Sequence, residues 1–142
     1  MFSASAISPE TIRAYRETNY NVHGESAFTL NVGIASPALR ALYAARHIDS
    51  CAFVTACNPF SQQITARANA ARQKALARKL ARRGLQIING IGQHPSGSWD
   101  GEASFLVLKL SLDAAKKMGK RLEQNAIVWC GPDAVPQLVL LR

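Results

Sequence analysis

The chain has 142 residues, a hydrophobic fraction of 48%, a charged fraction of 18% and a formal net charge of +8. This length suits one domain with its own core, and the composition excludes an intrinsically disordered chain. No apolar run approaches the roughly 20 residues that cross a bilayer. We therefore expect a flexible lead over residues 1–7, a single globular domain over residues 8–142, and no membrane partner.

Cysteine and histidine usage bears on compartment and metal binding. The chain has three cysteines, an odd number, and their spacing is not that of metal ligands (Cys51, Cys57 and Cys130). This favours reduced thiols. The N-terminus lacks the basic start and long apolar core of a signal peptide. The three histidines fit no ligand motif, and no Gly-rich phosphate loop occurs. The sequence thus predicts a cytoplasmic protein with no metal site and no cofactor, and it indicates no oligomeric state.

The pattern of capping residues, turns and apolar runs predicts helices alternating with strands. Ser8-Pro9 and Ser36-Pro37 each read as a cap followed by a first-turn proline, and Ser111 is available as the cap of a later helix. In chain order we predict helix 9–17, strand 28–32, helix 37–47, strand 51–56, helix 61–83, strands 85–91 and 105–110, helix 112–124, and strands 126–129 and 137–141. The fold class is α/β (mixed α+β): a single mixed sheet of about six strands covered by about four helices, with two antiparallel hairpins.

The Asn58-Pro59 turn, between a buried strand and the longest helix, is the first candidate site. Pro59 ends the strand and favours extended geometry at Asn58, while Ser61 is the predicted helix cap. A strand that ends at the mouth of a helix is a common ligand position in α/β proteins. Asn58 and Ser61 either orient a ligand or only satisfy the turn.

Two polar residues of the long helix belong to the same candidate site. Asn69 falls on the inward stripe with Gln73, Leu76 and Leu80, where a buried amide needs partners or costs about 1–3 kcal/mol. Those partners are either backbone groups of the 57–60 turn or a ligand. Arg72 lies about 60° around the helix and can reach the same end of the sheet, where it would neutralise the charge of an anionic ligand.

The same helix carries a basic band without an acidic residue. It holds seven basic residues between 61 and 83, of which Arg78, Lys79, Arg82 and Arg83 form the predicted anion or nucleic-acid patch. The band lacks the interleaved aromatics of single-strand binders. The alternative is a solvated face that complements the helix dipole.

The 92–103 loop contains the densest group of reactive side chains. Glu102 stands at the mouth of a buried strand, where partial burial would raise its pKa and suit it to general acid–base work. Trp99 can stack on a base or sugar ring, or else cap the edge of the core. Gln124 and Asn125, at the end of the fourth helix, are further candidate ligand-binding residues. The alternative for Asn125 is structural, since Asn suits the left-handed position that follows a helix.

These segments resemble a known family. FVTACNPFS, NAAR, WDGEASFLVL and QNAIVW, in this order, resemble the uncharacterised bacterial family called domain of unknown function 3293, over residues 15–141. The resemblance implies motif positions at Asn58, Pro59, Ser61, Asn69, Arg72, Trp99, Glu102, Ser104, Gln124 and Asn125. The chain departs from the family's usual Trp at Cys57 and its usual Gly at Glu123. The family has no established activity to carry over.

Three functions remain open on this evidence. The first is a polar pocket for a small anionic or nucleotide-like ligand, in a hydrolase or transferase with Glu102 as its acid or base. The second is a non-catalytic module that binds nucleic acid or an acidic protein through helix 61–83. The third is a scaffold whose polar residues are structural. The pocket hypothesis requires Asn58, Asn69 and Glu102 to converge at one edge of the sheet.

Overall fold

A computed structural model describes residues 5–97 and 99–142, and shows four helices on one seven-stranded sheet. The helices are α1 (Pro9–Glu17), α2 (Pro37–Arg46), α3 (Ala66–Arg82) and α4 (Leu112–Arg121). The strands are β1 (Asn19–Val22), β2 (Phe28–Leu30), β3 (Cys51–Val54), β4 (Ile87–Gln93), β5 (Glu102–Leu108), β6 (Ala126–Cys130) and β7 (Pro136–Leu140). The predicted fold class is confirmed, with seven strands in place of about six.

The sheet has the strand order β2-β1-β4-β5-β3-β6-β7, and every described ladder is antiparallel. Both predicted hairpins, β4–β5 and β6–β7, are therefore confirmed. The expected mixed sheet is wrong in this one respect: among the described strands no parallel pair occurs, although helices separate several of them along the chain. The order places β3 between β5 and β6, so the strand that leads into the Asn58 turn lies deep in the sheet.

Strand β3 is buried along its whole length because helices cover both faces of the sheet. Its residues alternate: Cys51 and Phe53 pack in the cluster that holds α2, and Ala52 and Val54 in the cluster that holds α3 and α4. Leu76 and Leu80, from the inward stripe of α3, belong to the second cluster. Burial of a side chain of this size contributes about 1.5–3 kcal/mol, which anchors α3 against the sheet.

Side-chain caps fix the starts of the helices. Ser8, Ser36 and Ser111 each accept a bond from the backbone N–H three residues on, as predicted. The prediction that Ser61 caps the long helix is wrong: Thr65 caps α3 and accepts from Ala68 N at 3.1 Å. Residues 59–61 form instead a separate tight turn, closed by hydrogen bonds from Ser61 N to the carbonyl of Asn58 and from Gln62 N to that of Pro59, which ends before the helix begins.

The ends of the predicted elements also need correction. Helix α4 stops at Arg121, and Glu123, not Asn125, takes the left-handed position after it, with φ 58°. Strand β1 was not predicted. Of the predicted flexible lead, residues 1–4 lie outside the described residues. Within its remainder, Ile7 is buried and the Ser5 hydroxyl donates to the carbonyl of Arg142.

Candidate functional site

The turn after β3 has an unusual backbone. Asn58, Phe60 and Ser61 have φ of 47°, 54° and 59°, so three non-glycine residues occupy the left-handed region. The extended geometry expected for Asn58 is therefore wrong. Left-handed geometry costs non-glycine residues about 1–3 kcal/mol each and persists only where surrounding contacts impose it. One such contact is the bond from Phe60 N to the carbonyl of Glu123, at 2.6 Å.

Reciprocal hydrogen bonds join the turn to α3. Asn58 N donates to Asn69 Oδ1 at 2.8 Å, and Asn69 Nδ2 donates back to Asn58 Oδ1 at 2.9 Å. Asn58 Oδ1 also accepts from Ile64 N at 3.1 Å. Because backbone N–H groups can only donate, these contacts fix which end of each amide is oxygen and which is nitrogen. The Asn69 side chain therefore binds the turn, which is the structural one of its two predicted roles.

This network orients the side-chain amide of Asn58 toward the carboxyl group of Glu102. The Nδ2 atom of Asn58 donates to Oε2 of Glu102 at 2.7 Å, across 44 residues of sequence. Asn58, Asn69 and Glu102 thus converge, as the pocket hypothesis requires. Among the described residues no hydrogen bond reaches the second carboxyl oxygen, Oε1.

Burial raises the pKa of Glu102 above its ordinary value, and the donated bond from Asn58 offsets part of this rise. Burial likewise raises the pKa of the Cys57 thiol, whose sulfur donates to the carbonyl of Ala103. Cys57 is therefore a neutral thiol near pH 7 and a poor nucleophile. Glu102 is the better suited of the two to proton transfer.

A cleft of about 930 Å³ opens beside this network. Its walls come from α1, the end of β3, the first turns of α3, and β5 with the loop before it. Six predicted site residues line it: Asn58, Ser61, Asn69, Trp99, Glu102 and Gln124. The volume lies within the usual range for small-molecule sites.

The charges on the cleft wall are acidic. Glu10, Asp100 and Glu102 line it, and no Lys or Arg does so among the described residues. Arg72, expected to neutralise a ligand's charge, is not on the wall. Its guanidinium donates instead to the carbonyls of Ala56 and Leu122, at 2.6 and 2.9 Å. The structure therefore gives Arg72 the role of holding the end of β3 against the end of α4.

The loop before β5 places an aromatic ring at the cleft. Trp99 is 56% exposed, and its ring meets that of His94 edge to face, with centroids 4.6 Å apart. His94 Nε2 lies 3.0 Å from Glu17 Oε2, which ties the loop to the end of α1. Ser98 of this predicted loop lies outside the described residues. The exposed face of Trp99 offers a stacking surface for a planar ligand.

A second polar cluster joins α1 to the turn. The hydroxyls of Tyr15 and Ser61 contact each other, and Asn125 Nδ2 donates to both at 3.1 Å. Arg142 donates to Asn125 Oδ1 at 3.0 Å, and its guanidinium lies 4.4 Å from the Phe60 ring centroid. Asn125 is therefore a buried connector and is not on the cleft wall, whereas Gln124 is on the wall and donates to the carbonyl of Cys57.

Sequence reasoning missed the contribution of α1. Thr11, Ala14, Tyr15 and Thr18 line the cleft, at the i, i+3, i+4, i+7 spacing of one helix face. This spacing is the signal in the sequence that could have placed α1 at the site. It was missed because α1 contains no buried residue, and so its sequence shows no apolar stripe that would mark the inward face.

The predicted basic patch is separate from the cleft. Arg78, Lys79, Arg82 and Arg83 are exposed at the C-terminal end of α3, whereas the cleft borders its first turns. Along the helix, Asn69 and Arg83 are about 21 Å apart. Helix α3 thus contributes to two separate surfaces, the cleft at its start and the basic patch at its end.

The described residues hold no group of three or more His, Cys, Asp or Glu side chains placed to bind a metal. None of the described helices has the length and apolar content to span a membrane.

Comparison with known proteins gives a family without a function. The family model described as "Protein of unknown function (DUF3293)" matches residues 54–127, just over half of the chain. No curated protein and no solved structure matches. The matched segment contains Asn58, Asn69 and Glu102.

Proposed function

Since the chain belongs to the family described as Protein of unknown function (DUF3293), we propose from its own geometry that the cleft binds a small, neutral, nucleoside-like ligand. We further propose that Glu102 transfers a proton to or from that ligand during hydrolysis or group transfer. The single observation that carries both proposals is the bond from a fixed Asn58 amide to one oxygen of a half-buried carboxyl group at the cleft.

This bond determines where the proton of Glu102 resides. The orientation of the Asn58 amide is set by the backbone N–H of Ile64, so it offers only a donor to Oε2. A protonated Glu102 therefore carries its proton on Oε1, the oxygen without a described partner. Burial raises the pKa of this carboxyl, which brings it closer to the value that general acid–base catalysis near neutral pH requires.

The charge of the cleft wall favours a neutral ligand over an anionic one. The sequence favoured an anionic or nucleotide-like ligand, but the lining holds Glu10, Asp100 and Glu102 and no described cation. Placing a phosphate against carboxylates is unfavourable because like charges repel strongly in a partly desolvated site. A neutral ring that stacks on Trp99 and offers hydrogen-bonding groups to Glu102 suits this wall better.

The test is a ligand screen with matched variants. Differential scanning fluorimetry, followed by isothermal titration calorimetry of positives, would compare the four ribonucleosides, their 5′-monophosphates and a set of sugar phosphates. The variants are Glu102→Gln and the control Glu25→Gln, which makes the same chemical change at an exposed residue away from the cleft. Chromatography of the mixtures would detect products.

We expect a nucleoside to stabilise the wild type and the control more than its monophosphate does. We expect Glu102→Gln to form no product even if it retains binding, because the amide cannot donate or accept the proton. Failure of every compound to stabilise the wild type would contradict the ligand proposal. Product formation by Glu102→Gln at the wild-type rate would contradict the proposed role of Glu102.

A cytoplasmic location and a bacterial origin stay predictions. The three cysteines are all unpaired, which supports a reducing compartment.

A further inference from the structure

The positive charge of the chain is concentrated on one helical layer. Residues 66–83 and 112–123, which make up α3, α4 and their last turns, hold 11 of the 17 Lys and Arg residues but only two of the nine acids. The rest of the chain is close to neutral. We propose that this layer binds the phosphate backbone of double-stranded nucleic acid, without reading its sequence.

The two helices form one continuous surface. Leu76 and Leu80 of α3 pack in the same cluster as Ala115 and Met118 of α4, so both helices cover the same face of the sheet. Leu76 and Leu80 also line a groove together with Met118 of α4, so the two helices lie side by side. The basic surface is thus two helices wide.

Cations from both helices border the groove between them. Lys79 and Arg83 line one side and Arg121 the other, above a floor that includes Met118. Lys117 lies one turn before Arg121 on α4 and is exposed. The groove encloses only about 50 Å³, which is too small for an organic ligand, so its cations are presented to a partner outside it.

These cations are available for binding. Arg78, Lys79, Arg82, Arg83, Lys117 and Arg121 are exposed, and within the described part of the chain none of them forms an ion pair or a side-chain hydrogen bond. Arg72 differs, since it pairs with Glu123 and donates to backbone carbonyls. A partner would therefore meet free cations without first breaking internal contacts.

The chemistry of the surface favours a duplex. Among the described residues the exposed large hydrophobic ones are Ile34, Phe60, Trp99 and Leu140, and none of them lies on α3 or α4. Without aromatic rings the layer cannot stack unpaired bases, which is how single-strand binders gain affinity. A duplex exposes about 15 phosphate charges along the roughly 25 Å that α3 spans, ample for every cation on the layer.

The experiment measures fluorescence anisotropy with labelled duplexes of about 24 base pairs, one of DNA and one of RNA, over about 50 to 200 mM salt. The variants are Arg78→Glu/Arg82→Glu on α3 and Lys117→Glu/Arg121→Glu on α4. The control Arg13→Glu/Arg16→Glu makes the same change in net charge on exposed residues of α1. Melting temperatures would verify that all variants fold.

We expect the wild type to bind a duplex at low salt and each helix variant to lose about tenfold or more in affinity. The salt dependence of binding should also become shallower by about two units in slope, one for each phosphate contact removed. The control should change affinity far less, because screening limits charge effects to about 10 Å. The DNA and RNA arms would show which duplex is bound.

Three results would overturn the proposal. They are absence of duplex binding at the lowest salt, an equal loss of affinity in the control, and binding of polyglutamate as tight as that of either duplex. The last result would identify an acidic polypeptide as the partner. This proposal does not depend on the ligand of the cleft.

Discussion

Replacement of Asn69 by alanine tests whether the Asn58 turn is held from α3. The substitution removes two hydrogen bonds, from Asn58 N and to Asn58 Oδ1, while Asn58 Oδ1 keeps its bond from Ile64 N. Each lost bond costs about 1 kcal/mol, and the backbone N–H left without its partner adds to that cost. Alanine recovers about 0.5 kcal/mol through its higher helix propensity. We expect a net loss of about 2 kcal/mol in the free energy of unfolding.

Urea unfolding followed by circular dichroism would measure this loss, with Lys74→Ala as the control for helix propensity at an exposed position of α3. A double-mutant cycle with Asn58→Ala would separate the contact from the backbone effect of changing Asn58, and should give a coupling energy of about 1 kcal/mol or more. A net loss below about 0.5 kcal/mol, or additive single effects, would refute the reasoning that Asn69 fixes the turn.

Three further substitutions test other parts of the structure. Because burial raises the pKa of Glu102, the native state binds a proton more readily than the unfolded chain does. The stability of the wild type relative to Glu102→Gln should therefore fall as the pH rises above the ordinary pKa of 4.5. Denaturant midpoints of the two proteins that differ equally at all pH values would contradict this. Glu123→Gly should raise the free energy of unfolding by up to about 1 kcal/mol, because φ is 58° and the ion pair with Arg72 is long and half-exposed. Glu123→Ala, which loses the same charge without the backbone relief, should not gain stability. Gly90→Ala should lower the free energy of unfolding by about 2 kcal/mol or more, measured by thermal unfolding, because the added Cβ would lie 2.8 Å from the Phe53 ring and closer still to a backbone carbonyl. A loss under about 1 kcal/mol would show that β4 can shift to make room.

Local signals in the sequence predicted the features that depend on local contacts. Ser8, Ser36 and Ser111 cap their helices because a cap needs only a hydroxyl and an N–H three residues away. The start of α3 was missed because Ser61 and Thr65 both satisfy that rule. The choice between them is made by the bonds of Asn58 to Asn69 and to Glu102, and the latter is 44 residues away in sequence.

The features that local signals did not predict depend on pairing between residues far apart in the sequence. Strand β1 alternates polar and apolar residues over only four positions, too short a run to predict a strand alone, and it is stabilised by its ladders with β2 and β4. In the site, convergence of Asn58, Asn69 and Glu102 was predictable because each stands at the end or inward face of a strong element. The position of Arg72 was not, since its partners are backbone carbonyls that no side-chain pattern reveals.

The interior position of β3 in the sheet has a consequence for biosynthesis. Its two neighbours in the sheet, β5 and β6, are made about 50 and 75 residues later, so β3 and the turn after it wait unpaired while the ribosome completes them. Closing such long loops slows folding, because chain entropy is lost before the contacts form. A nascent chain that ends before Glu102 therefore lacks a wall of the cleft, and during that interval the apolar β3 segment is exposed to aggregation without its partner strands.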